Sequence, residues 1–244
     1  GLASSFVLTI PRNRIRRWPG LADGSYAGQY TEGHSVTSVR SYHWTGVDPA
    51  TGLYTFRTSN AGGIPDTTEK FPDKGLDPAW YAGWSQRLSF GNWELEWLFD
   101  YRHQRGINPL VILDRQNVPG KQALQQLSNG PVEWLDHWRK SGDLTRQQRL
   151  SAGGDTTAMA RLGVYGNSDA LNIDASYLRL RTVTLSYRLS PATAKRLGLK
   201  EGRISISGQN LWTKTHFPVT DPETQDPNVL PPMRIIVAGV HVSF

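Results

Sequence analysis

Trp93-Glu94-Leu95-Glu96-Trp97-Leu98-Phe99-Asp100-Tyr101 alternates almost without fault. Successive side chains of a strand face opposite sides, so Trp93, Leu95, Trp97, Phe99 and Tyr101 share one face. Glu94, Glu96 and Asp100, with the flanking Asn92 and Arg102, share the other, and Leu98 is the single exception. A soluble sandwich buries such an apolar face and puts the charges in water. A transmembrane barrel turns the apolar face to lipid and keeps the charges in its lumen. The end of the chain repeats the pattern in Ile236, Ala238, Val240, Val242 and Phe244. Both segments point to an all-β, antiparallel barrel of the outer-membrane kind.

The size of the repeat agrees. Eight steps from Trp93 to Tyr101 at roughly 3.4 Å span about 27 Å. Tilted by about 40°, that covers roughly 20 Å of an apolar band of about 25 Å. Trp93 and Tyr101 then sit near the two interfaces, where amphipathic rings are favoured. Trp80, Trp84, Tyr187, Trp212 and Phe244 extend those girdles.

The bulk properties are compatible with this reading. Mean hydropathy is −0.47, and no run of about 18 apolar residues exists to form a transmembrane helix. Unpaired backbone groups are not tolerated in lipid, so a closed barrel is the remaining way to span a membrane. The 244 residues contain no cysteine, which removes disulfide and thiolate chemistry. The formal charge of +6 comes mostly from scattered arginine, with Arg12, Arg14, Arg16 and Arg17 the one cluster. Such a cluster suits anionic lipid headgroups, lipopolysaccharide or nucleic acid, and equally a solvated basic turn. No nucleic-acid signature accompanies it. The opening residues, Gly1 to Phe6, lack the basic and apolar regions of a signal peptide. Either a signal has been removed or the chain starts inside a longer protein.

Alternation and turn residues predict strands at about 4–10, 80–90, 93–103, 176–189, 203–215 and 233–244. Weaker strands are expected near 35–45 and 51–57, and Gly91-Asn92 forms a tight hairpin. The stretch 104–175 reads as one long extracellular loop with helix-like pieces at Gln122–Leu127 and Val132–Lys140. With Phe244 placed in the periplasm, 91–92 and 190–202 fall inside, and 58–79, 104–175 and 216–232 outside. The inner connections are the short ones, as in outer-membrane barrels. Residues 176–189 change phase: Val183, Leu185 and Tyr187 line up, whereas Leu178 and Leu180 fall out of step. Either the strand leaves the membrane near Arg181, or it carries a bulge there.

Several segments in order resemble one family. They are Leu8–Asn13 with Trp18–Leu21, Gly46–Tyr54, Leu76–Gly83 (LDPAWYAG) and Trp138–Asp143. Ala175–Tyr187 (ASYLRLRTVTLSY), Ser207–Trp212 (SGQNLW) and Val240–Phe244 follow. Their run resembles the SusC/RagA type of TonB-dependent outer-membrane transporter. That resemblance implies residues 1–244 are the C-terminal part of a 22-stranded barrel, without its plug and N-terminal strands. It also implies import of a glycan or peptide across the cell outer membrane. The implied partners are a SusD-like surface lipoprotein, TonB acting through the missing N-terminal region, the barrel-assembly machinery and outer-membrane lipid. Ile236, Ala238, Val240, Val242 and Phe244 then form the C-terminal assembly signal.

Trp134 and Trp138, four residues apart on an expected helix, are the candidate substrate-binding pair; a loop anchor is the alternative. Glu94 and Glu96 lie about 7 Å apart on one strand face. Carboxylates at such a separation serve glycosidases, but those flank a substrate, and adjacent acids are ordinary in a lumen wall. No catalytic role is therefore assigned. The six histidines show no metal-ligand spacing, and no cofactor is implied. Asp221, Glu223 and Asp226 suggest only a weak calcium site. The competing account is a soluble or surface glycan-binding β-protein.

Overall fold

The computed structural model describes residues 1–116, 118–121, 129–218, 220–226 and 229–244. The strands, in chain order, are β1 (Leu2–Thr9), β2 (Arg40–Ser41), β3 (Trp44–Val47), β4 (Tyr54–Phe56) and β5 (Phe71–Pro72). Then come β6 (Trp80–Phe90), β7 (Trp93–His103), β8 (Arg105–Ile107), β9 (Asn172–Asp174), β10 (Tyr177–Arg188), β11 (Glu201–Thr215) and β12 (Ile235–Ser243). The described residues also form helices α1 (Pro109–Gln116), α2 (Thr156–Tyr165) and α3 (Pro191–Arg196). The chain divides into two compact units, one from Gly1–Pro11, Pro78–Gln104 and Asp174–Phe244, the other from Arg12–Asp77 and Arg105–Ile173.

The first unit is a sheet of six strands in the order β1-β6-β7-β10-β11-β12, antiparallel throughout and not closed on itself. All six are the long strands read from alternation. The register aligns the apolar positions across it. Trp84 lies opposite Phe6 and Phe99, Trp97 opposite Val183, and Leu185 between Leu95 and Ile206. Ile206 in turn faces Ala238, and Ile204 faces Val240. One face is therefore apolar from edge to edge and uncovered: Phe6 is 65 %, Ile236 70 % and Val240 73 % exposed. The opposite face carries Arg87, Glu94, Glu96, Asp100, Thr184, Ser186 and Arg203 in mutual register. Polar-in and apolar-out is the arrangement that lipid requires.

The phase change at Arg181 is a bulge. Leu180 and Thr182 of β10 pair with the consecutive residues Phe99 and Leu98 of β7, leaving Arg181 as the extra residue. One inserted residue returns Leu178 and Leu180 to the apolar face, opposite Tyr101 and Phe99. On the other side, Leu180 and Thr182 pair with Trp212 and Gln209 of β11. Asn210 absorbs the extra length there with φ at 52°, a left-handed conformation that asparagine tolerates better than most residues. The connections after β6 and β10 are short. Gly91, at φ 57°, turns the β6–β7 hairpin, and α3 follows β10 with Ser190 accepting a bond from Thr193 N at its N-cap.

The second unit departs from expectation. Residues 35–57 do not add strands to the sheet; β3 pairs with β4 and β2 with β5 in two small separate sheets. The connection from β1 to β6 is accordingly 10–79, not 58–79. Together with 105–173 it builds a module around Tyr54, Phe56, Val111, Leu162 and Tyr165. The stretch 104–175 is thus folded rather than a plain loop. Of its expected helices, Gln122–Leu127 lies outside the described residues, and Val132–Lys140 shortens to one tight turn, Val132–Leu135. Pro131 starts that turn and Asp136 leaves helical backbone at its end. Among the described residues, α1 and α2 supply Val111, Leu162 and Tyr165 to the aromatic core. Among the described residues no helix is long and apolar enough to cross a membrane.

Candidate functional site

The polar face of the six-stranded sheet concentrates the charged side chains, and ion pairs bind them to one another. Arg87 pairs with Glu96. Arg203 Nη2 donates to Glu94 at 2.7 Å and to Ser186 Oγ at 2.8 Å. The two acids considered for catalysis are thus each held by an arginine of the wall. Farther along β10, Arg181 Nη2 contacts Asp100 at 2.8 Å and Glu223 at 2.7 Å. Arg179 donates to Glu223 at 2.6 Å, to Asp221, and through Nε to Thr213 at 3.0 Å. Arg179 is 1 % exposed, so its charge requires these partners. Thr213 belongs to β11, whereas Asp221 and Glu223 come from the turn at 220–226, which is further tied by Gln104 Nε2 donating to Pro222 O at 2.8 Å. The hydrogen bonds from Arg181 hold Glu223 below the usual carboxylate range.

Beside this cluster opens a recess of about 440 Å³, lined by Gly83, Leu98, Asp100, Arg181, Thr182, Gln209 and Asn210. Guanidinium, carboxylate and amide groups on its wall can bind polar solutes but include no activated nucleophile. Asp221 and Glu223, weighed as calcium ligands, serve as arginine partners instead. No group of three or more acids, histidines or cysteines suited to a metal occurs among the described residues.

Trp134 and Trp138 do not share a helical face, because the turn ends at Leu135. Trp134 is buried, and its Nε1 donates to Asp114 Oδ1 of α1 at 2.6 Å. Burial pushes the Asp114 carboxyl up to about 6, against the lowering influence of Trp134 and Gln147. Its Oδ2 is buried without a hydrogen-bond partner. Trp138 is half-buried, donates to Pro49 O at 2.8 Å, and lies so near Gly52 that a β-carbon there would strike the ring. Both tryptophans are fastened inside the module. The residues read as lipid-facing (Trp93, Leu95, Trp97, Phe99, Tyr101, Val183, Leu185 and Tyr187) fall on one face of the sheet by register. The terminal row Ile236, Ala238, Val240 and Val242 continues it, with Phe244 one residue beyond β12. The Arg179–Asp221–Glu223 cluster was not legible as such. Its sequence signal is the pair Arg179 and Arg181, which alternate with Leu178 and Leu180.

No family model matches the chain. A curated relative, TonB-dependent receptor P3 of Formosa agariphila, is 42% identical over 50 residues, which are 20% of this chain and 5% of the relative. Among solved structures, a chain of the RagAB peptide transporter superposes on 100% of this chain, with a TM-score of 0.75 and 20% identity. The RagAB peptide importer in its closed-closed state gives 0.72 at 21% identity, and in its open-open state 0.67 at 17%. This chain spans 27%, 27% and 26% of those three transporter chains. At such identities the structural likeness establishes the fold, an antiparallel barrel wall. The curated match and that fold agree with the motif run, so the chain has the fold of a barrel-wall segment and resembles the SusC/RagA type of TonB-dependent transporter.

Proposed function

We propose that this chain serves nutrient import across the outer membrane, supplying barrel wall, outer connections and assembly signal to a TonB-dependent transporter. The observation that carries this is the edge-to-edge apolar face opposed by an ion-paired polar face across six strands. The polar face lines the lumen, and the recess beside Arg181 is part of the route. The cargo is a peptide or a glycan. A SusD-like surface lipoprotein captures cargo, TonB supplies energy through the plug, and the barrel-assembly machinery recognises the row ending at Phe244. Trp134 and Trp138 hold the module that meets cargo or lid, and Glu94 and Glu96 have a structural rather than catalytic part.

The test is uptake of fluorescently labelled oligopeptides and oligosaccharides by cells with and without the transporter. Uptake of one class that disappears with the transporter or with TonB supports the proposal. Recovery of the protein in the aqueous fraction without detergent would overturn it and favour a soluble glycan-binding β-protein.

A further inference from the structure

The segment 12–34 of the second unit holds a feature that neither the wall nor the module core uses. Backbone bonds fold it back on itself: Ile15 N donates to His34 O and Gly33 N to Ile15 O, each at 2.8 Å. Successive turns follow, with Leu21 N donating to Trp18 O and Tyr30 N to Tyr26 O, both at 3.1 Å. Glu32 accepts from Trp18 N. This folding gathers Trp18, Tyr26 and Tyr30 into a cluster with ring centroids 5.6 to 5.9 Å apart. Leu21 is buried among these turns, whereas Trp18 is 37 % and Tyr26 50 % exposed.

The same segment carries Arg12, Arg14, Arg16 and Arg17 just before Trp18, all exposed. None makes an ion pair or side-chain hydrogen bond among the described residues, whereas Arg87, Arg179, Arg181 and Arg203 of the wall are ion-paired. Trp18 Nε1 and the Tyr26 hydroxyl also lack partners there. Asp23 and Glu32 are the acids of the segment, leaving a positive balance. Free guanidinium groups bind sulfate and carboxylate in a planar, two-pronged manner. Aromatic rings with polar tips suit a ligand that is flat, hydroxyl-rich and wet. A peptide is usually held by a strand edge or an apolar groove, and residues 12–34 contain no strand.

We infer that Trp18, Tyr26 and Tyr30, with Arg14, Arg16 and Arg17, form a binding surface for an acidic oligosaccharide bearing sulfate or carboxylate groups. The rings take the sugar faces and the arginines take the anions. The inference deepens the importer reading, on which its biological purpose rests, by naming an acidic glycan as a ligand class.

The experiment is calorimetric titration of the detergent-solubilised full chain with three probes: a heparin-derived hexasaccharide, a neutral maltohexaose and hexaglutamate. The sulfated sugar is expected to bind at least about tenfold more tightly than either of the others. Replacing Arg14, Arg16 and Arg17 together by Gln, or Trp18→Ala alone, is expected to weaken it by about tenfold or more. The triple replacement by Lys serves as the folding control and retains most of the affinity. Equal binding of hexaglutamate would overturn the proposal in favour of an acidic peptide. Loss with the Gln triple but none with Trp18→Ala would reduce the surface to a nonspecific anion patch and overturn it too. Binding as expected without transporter-dependent uptake of any glycan would leave this surface standing and count against the import reading alone.

Discussion

Asp114 shows how a single residue can set a condition on the module. Its side chain is fully buried, one oxygen is bonded to Trp134 and the other is unpartnered. Burial favours the neutral acid, so the folded-state value near 6 lies above that of an unfolded aspartate. The native module therefore holds this proton more firmly between about pH 4 and 6. Its stabilisation is complete below that window and is lost as pH rises through it, by about 3 kcal/mol in all. Asp114→Asn keeps an oxygen acceptor for the Trp134 N–H and removes the charge. The variant is expected to have a module stability that is flat across this window, and to be the more stable protein at pH 7. Hydrogen exchange of α1 amides at pH 4.5 and 7, corrected for intrinsic rates, measures both. An unchanged pH slope in the variant would show that another group is responsible. Nothing in the sequence singles out this residue, because it falls in the stretch 104–175 that reads as a long loop, where an aspartate beside Arg115 is ordinary. Trp134, by contrast, was singled out by type, but only the fold shows that its ring faces inward.

At the scale of elements, alternation located the six long strands because a half-buried strand must repeat with period two. It failed at β3 and β4, whose apolar residues pack into the module core instead of a membrane sheet. Their short runs carry the same pattern, and only the pairing partner distinguishes the two uses. The bulge at Arg181 was visible as a phase change, but its purpose was not. It keeps the apolar face continuous while Arg179 and Arg181 both meet acids of the connection 216–226. That fastening is open to test. Arg179→Met has a similar reach without the charge, and leaves Asp221 and Glu223 without their buried partner. Breaking one side of a buried pair typically costs about 3 to 5 kcal/mol. The expected result is loss of exchange protection at Glu223 N and Gln225 N, which bond to Asp221, with strands β10 and β11 still protected. Full protection at those amides would show that Gln104 and the turn itself hold the connection.

For the whole molecule, the sidedness of the sheet decides between the membrane and water, and adjacent residues can separate the two. Val183 and Thr184 are neighbours in β10, one opposite Trp97 on the apolar face and the other opposite Glu96 on the polar face. They share local propensity and depth, so any difference between them comes from what each face meets. Arginine at the lipid midplane of a barrel costs about 2 to 4 kcal/mol, whereas lumen positions tolerate charge. Val183→Arg is therefore expected to lower the amount of folded protein in outer membranes and to reduce its stability in bilayers by that margin. Thr184→Arg places a cation opposite Glu96 and is expected to cost under about 1 kcal/mol. Heat-modified mobility on gels reports folding of each variant, and urea titration in lipid vesicles gives the energies. Greater damage from Thr184→Arg than from Val183→Arg would mean that the polar face, not the apolar one, is turned away from water. Equal tolerance of both would mean that neither face meets hydrocarbon, and the barrel assignment would fall with it.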